Sequence, residues 1–297
     1  MESLTLRDRL TYYNTPIIIV DPNRRYGGHC SLEDTLMRTI SNDELHFCHC
    51  RQIYLGSPMS FKIRDISDTD RKDTLNHCVS NDKTFYVHGN LTINLAKEQW
   101  QEPSRNTINK TLRQIKGLPA ACVIHIGKQG TMSNVVNQIN MLQIERGIHD
   151  RVPYTLLLEC AAGQGGDEKG ELGKSWDELR KLYEGLDREK VGLCLDTQHI
   201  FASGMSKLDS HEAIVKLFDE AESITNSGVS LFHINDSNKP FGSRVDRHAG
   251  LRKGYIWNND DTGLKALINR CFDSEIDLVS EGTPTSDIKL IAETYDI

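Results

Sequence analysis

The chain has 297 residues, 38% of them hydrophobic and 26% charged, with 22 Gly and 8 Pro. That is length enough for one large domain with a well-buried core, and it excludes a disordered, collagenous or disulfide-scaffold chain. The 35 Lys and Arg fall short of the 42 Asp and Glu, leaving a net charge of −7, which alone speaks against a phosphate-rich partner because such partners want a basic face.

In chain order, MESLTLRDRLTYYN lacks the apolar stretch of a secretion signal. Nowhere do about 18 apolar residues run together, so a soluble, intracellular chain with no membrane partner is expected. TPIIIV (15–20) reads as a first strand, with VDPNRRYGG (20–28) as the turn after it. Ser31-Leu32-Glu33-Asp34 reads as a capping box opening a helix. Further strands are predicted at HFCHCRQIYL (46–55), KTFYVHG (83–89), ACVIHIG (121–127), YTLLLEC (154–160), VGLCLDT (191–197), SLFHIND (230–236) and DLVSEG (277–282). Between them, apolar spacing predicts helices at 104–118, 131–147, 175–186, 211–223, 262–272 and 285–297, and more faintly at 66–80. Continuous apolar strands alternating with helices mean a parallel sheet covered on both faces. Eight such units predict a single-domain α/β fold, a (β/α)8 TIM barrel over 1–297. A doubly wound open sheet is the alternative, but its first turn should read G-x-G-x-x-G, and DPNRRYGG stands there.

Eight cysteines, at 30, 48, 50, 78, 122, 160, 194 and 271, form no C-x-x-C pair. They read as reduced, buried thiols, and Cys48-His49-Cys50 as ordinary strand. Active sites of such barrels lie at the C-terminal ends of the strands. Strands three to eight end at or near His88, His125, Glu159, Asp196, His233 and Glu281. Buried carboxylates need partners, no Lys or Arg stands at these ends, and a metal cluster supplies the partner. Asp196 with His199, and Asp246 with His248, add ligand pairs from the loops. Five His and four carboxylates suit zinc or a similar transition ion. Nine ligands with one bridging carboxylate fit three ions, which would bring the loaded chain from −7 to about −1. Gly163, Gly165 and Gly166 read as a tight turn near the metals, with Gln164 behind the ligands.

LLLECAAGQGG (156–166), GLCLDTQHIFASG (192–204), HINDSNKPFGSRVDRHAGLRKG (233–254) and VSEGTP (279–284) resemble the endonuclease IV family of apurinic/apyrimidinic endonucleases. The resemblance implies a monomeric zinc enzyme that cleaves duplex DNA 5′ to abasic sites and clears 3′-blocked ends. It implies that His88, His125 and Glu159 hold one zinc. Glu159, Asp196, His233 and Glu281 would hold a second, and His199, Asp246 and His248 a third. Glu159 would also orient the nucleophile. Arg244, Arg247, Arg252 and Lys253 are the candidate phosphate contacts. The chain departs from the family at the first-strand turn, where an HVS-type sequence is expected, and at His125-Ile126-Gly127, where HPG is. Leu91 stands where relatives carry a tyrosine wedge and Met59 about where they carry an arginine, so both are candidate apolar wedges into DNA. A metal-dependent sugar isomerase or epimerase on the same barrel is the alternative function, and a DNA-binding protein with a decayed site is a third.

Overall fold

The computed structural model describes residues 25–42, 48–225 and 227–295. Eight parallel strands close into a barrel: β1 (Tyr26–His29), β2 (Cys50–Ile53), β3 (Thr84–His88), β4 (Ala120–His125), β5 (Leu156–Glu159), β6 (Val191–Asp196), β7 (Val229–His233) and β8 (Asp277–Ser280). Each strand pairs with its neighbour in sequence, and β8 closes on β1 with Leu278 opposite Tyr26. Besides a single helical turn at Gly166–Lys169, the helices among the described residues are α1 (Leu36–Ser41), α2 (Asp68–Ser80), α3 (Glu98–Ile115), α4 (Met132–Asn140), α5 (Trp176–Glu184), α6 (Thr197–Ser203), α7 (His211–Ile224), α8 (Thr262–Asp273) and α9 (Pro284–Tyr295). The single-domain (β/α)8 TIM barrel read from the alternation is thus the fold.

Two readings of the chain's start change. The strand expected at 15–20 lies outside the described residues, and β1 is instead YGGH, inside and just beyond the segment read as a turn. Its glycines are strand glycines of close approach: a Cβ on Gly27 would stand 1.8 Å from the Cys50 carbonyl oxygen of the neighbouring strand. β1 ends at His29, so the segment that follows it is Cys30-Ser31 and not the VDPNRRYGG stretch. Ser31 caps nothing; Thr35 is the α1 N-cap, accepting from the Arg38 N–H at 3.2 Å. The helix expected to 147 stops at Asn140 because Arg146–His149 and Val152–Tyr154 pair as an antiparallel hairpin.

Inside the barrel, Cys50, Tyr86, Ala121, Val123, Leu157, Cys194, Leu231 and Val279 fill the bore. Below them the N-terminal end is plugged by a buried ion pair, Arg25 Nε to Asp277 Oδ1 at 2.5 Å. Thr84 and Tyr86 hydroxyls donate to the other Asp277 oxygen at 2.6 and 2.8 Å. This plug and the apolar bore leave the C-terminal mouth as the polar end. The cysteines are free thiols, as expected, and all but Cys30 are buried.

Candidate metal centre

Five of the expected ligands are the last residues of β3 to β7, and Glu281 directly follows β8. Parallel register fixes their height: His125 lies opposite Glu159, and Asp196 opposite His233. Asp196 does double duty, for its carboxylate caps α6 by accepting from the His199 N–H at 3.0 Å. The helix turn that follows brings His199 back over the same strand end. His248 arrives on a short ribbon in which His248–Ala249 pairs antiparallel with Asp236–Ser237.

Four of the other eight side chains converge on Glu159, whose carboxylate is buried among their imidazoles. Oε2 lies 3.3 Å from His88 Nε2 and 3.4 Å from His125 Nε2. Oε1 lies 3.0 Å from His233 Nδ1 and 3.4 Å from His199 Nδ1. Glu159, Asp196, His233 and Glu281 offer ligand atoms within 4.8 Å of one another, the set expected for a second ion. His88 groups with Glu159 and His233, and His125 with Glu159 and His199, so the expected first set is divided between two clusters. Asp196, His199 and His248 form a further group. Asp246 Oδ2 is 3.6 Å from His199 Nε2, and its Oδ1 is 3.3 Å from His248 Nε2.

The donor set fits transition ions by a test independent of spacing. His88 Nδ1 bonds the Gly89 carbonyl at 2.7 Å and His199 Nδ1 the Cys160 carbonyl at 3.0 Å. A carbonyl only accepts, so each Nδ1 carries a proton and each Nε2 is the nitrogen turned to the carboxylates, where a metal would take it. Among the described residues, buried His199 Nε2, His248 Nε2 and Glu159 Oε2 have no hydrogen-bond partner. Such orphaned atoms are costly unless something else satisfies them. Charge follows the same crowding. Burial pushes the Glu159 carboxyl up, but His125 and His233 pull it well below the ordinary carboxylate range. Burial likewise raises Glu281, and His233 outweighs it, leaving a pKa of about 2.

Three residues at this mouth lie outside the expected ligand set. Gln52, fully buried near the end of β2, donates to Glu281 Oε1 at 2.6 Å and is 2.8 Å, through Oε1, from His233 Nε2. Asn235 donates to Asp196 Oδ2 at 2.7 Å and to Glu281 Oε2 at 3.2 Å. Tyr54 packs its ring 4.8 Å from that of His29 and 5.1 Å from that of His88. Gln164 bonds Glu171, through its backbone N–H at 3.0 Å and its side-chain amide at 3.4 Å. Gly163, Gly165 and Gly166 do form a tight turn, all three at φ between 81° and 88°.

Met59 and Leu91 lie outside the cluster on the loops after β2 and β3, 69% and 51% exposed. Of the four rim cations, Arg244 pairs with Asp167 at 2.6 Å and Arg252 with Asp261 at 3.6 Å. Arg247 bonds its own loop at the Asp246 carbonyl, 2.6 Å away. Lys253 makes no ion pair among the described residues.

The chain is similar to known proteins over most of its length. A family model described as a xylose isomerase-like TIM barrel matches residues 51–269. A protein named endonuclease 4 from Haloarcula marismortui is 26% identical over 282 residues, 90% of this chain and 95% of that one. Another of that name from Persephonella marina is 28% identical over 274 residues, covering 89% and 92%. The crystal structure of endonuclease IV from Thermus thermophilus superposes with a TM-score of 0.75 at 22% identity, over 91% of this chain and 97% of that one.

Proposed function

The chain belongs to the xylose isomerase-like TIM-barrel family, and from that membership and its endonuclease 4 relatives we propose that it is an apurinic/apyrimidinic endonuclease, a DNA-repair phosphodiesterase. Its substrate is duplex DNA with an abasic site, cut on the 5′ side, and 3′-blocked ends are a second substrate. The observation that carries this reading is the convergence of four imidazoles on the two oxygens of buried Glu159, with Asp196, Glu281, Asp246 and His248 beside them. A sugar isomerase of the same barrel needs fewer ligands, and Asp246 with His248 would be surplus to it.

Three zinc ions are proposed, held by His88, His125, Glu159, Asp196, His199, His233, Asp246, His248 and Glu281. Bound zinc would acidify a water toward neutral pKa and offset the negative charge that builds on phosphoryl oxygens. The protein's own contribution is placement. Gln52 and Asn235 hold Glu281, His233 and Asp196 in line. Glu159 fixes the middle of the cluster and orients the attacking water. The apolar bore excludes solvent from below. Met59 and Leu91 enter the duplex as wedges and unstack the steps flanking the abasic sugar. Arg244, Arg247, Arg252 and Lys253 hold backbone phosphates at the rim. The enzyme acts as a monomer, and no helix among the described residues is long and apolar enough to cross a membrane.

The test is a nicking assay on a duplex with one abasic site, run beside a ketose epimerisation assay and elemental analysis. Cleavage 5′ to the site with about three zinc per chain is expected. Epimerisation without nicking, or a single tightly held metal, would sink the reading.

A further inference from the structure

Tyr54 is the first residue beyond β2, so it stands at the ligand-bearing mouth. Its ring is wedged between the imidazoles of His29 and His88 at 4.8 and 5.1 Å. Contact with the ring of His88, whose Nε2 lies 3.3 Å from Glu159 Oε2, stands the phenol beside the cluster. Yet this half-buried hydroxyl makes no hydrogen bond among the described residues. Three other enclosed tyrosines behave differently. Tyr86 donates to Asp277 at 2.8 Å, Tyr154 to Ser227 at 2.8 Å and Tyr183 to the Gly192 carbonyl at 2.7 Å. Buried phenols ordinarily find such partners. Glu281, beside the same strand ends, already accepts from Gln52 and Asn235. The Tyr54 donor is therefore spare and stands beside the cluster.

We propose that the Tyr54 hydroxyl donates a hydrogen bond to a non-bridging oxygen of the phosphodiester cleaved at this site, a reading that rests on the proposed nuclease function. A phosphodiester oxygen accepts but cannot donate, and a bond to an anion is stronger than one between neutral groups. Phenol supplies that donor without a charge. A Lys or Arg at the same place would repel cations held by the cluster.

Tyr54→Phe keeps the ring and its imidazole contacts and deletes the donor. The full-length, metal-loaded protein is assayed in single turnover on an abasic duplex and on its two phosphorothioate diastereomers at the cleaved bond. Loss of a hydrogen bond to a charged acceptor predicts a fall of about tenfold to a hundredfold on the oxygen substrate. Sulfur is a poor acceptor, so on one diastereomer the loss should shrink to within about threefold, and a group that merely packs would not distinguish the diastereomers. Metal content and thermal midpoint should match wild type. An equal loss on all three substrates overturns the proposal, as does no loss at all or a fall that tracks lost metal. If the wild-type protein itself leaves the abasic duplex intact, the nuclease reading fails first and takes this proposal with it.

Discussion

Glu159 is a carboxylate buried at 1% exposure that keeps its charge because imidazoles surround it. A charge so placed is tolerated only when paired, and its two oxygens meet four different histidines. Glu159→Gln keeps the shape but removes the charge that joins the clusters. It should lower single-turnover nicking by about three orders of magnitude or more, while abasic-duplex binding by gel shift changes by less than about tenfold, as removal of a unit acting in the transition state predicts. A near wild-type rate would refute the nucleophile-orienting role. The ligands themselves were legible in the sequence because His and carboxylates at strand ends are conspicuous. Gln52, Asn235 and Tyr54 were not, since an amide or phenol at a strand end has no ligand signature and matters only through its neighbour. Gln52→Leu removes the partner of both Glu281 and His233. Such an outer contact is worth about 10- to 100-fold in metal affinity, to be measured by chelator competition against wild type. Unchanged metal retention would show that Gln52 only fills space.

Among elements, the loops after β2 and β3 act as one piece. The Leu91 N–H donates to the Pro58 carbonyl at 2.8 Å, and the Asn90 amide bonds the carbonyls of Ser57 and Ser60. Met59 and Leu91 are thereby displayed from a braced platform, not tucked beneath it, and their exposure leaves little core to lose. Ala at both positions should move the thermal midpoint by less than about 2 °C, in line with ordinary surface substitutions. Cleavage of abasic duplex should fall much more than removal of a 3′-block at a nick, where the helix is already open. Equal losses on the two substrates would argue for packing. Periodicity found seven of the eight barrel strands because each is an apolar run of strand length. It missed Tyr26–His29, where two glycines imitate a turn and are in fact demanded by strand contact at Gly27. It also missed the short ribbon at His248–Ala249, too brief to carry a pattern.

At the scale of the whole molecule, the barrel separates a stabilising end from a chemical one. Arg25 and Asp277 sit at the closed end, exposed at 0% and 2% in their side chains. Asp277→Asn leaves the buried guanidinium with only the half-exposed Asp82, 3.5 Å away, as counter-charge and should cost up to roughly 3–5 kcal/mol in urea unfolding. Adding Arg25→Met should restore part of that loss, with zinc content unaffected throughout. The open end must gather a polyanion although the chain carries a net −7. Binding then has to be local. Arg244 and Arg252 are engaged by Asp167 and Asp261, pairs open enough to solvent to exchange for phosphate at little cost. Arg247 and Lys253 make no ion pair with a carboxylate among the described residues. About four phosphate contacts are therefore available, so log Kd plotted against log salt should have a slope of roughly 3 to 4 in magnitude. Lys253→Ala should reduce that slope by about 1, while a residue that only braces the fold changes affinity without changing the slope. A slope near ~7 or above would mean a far wider basic surface than this rim provides, and a slope unmoved by Lys253→Ala would remove that residue from the phosphate contacts.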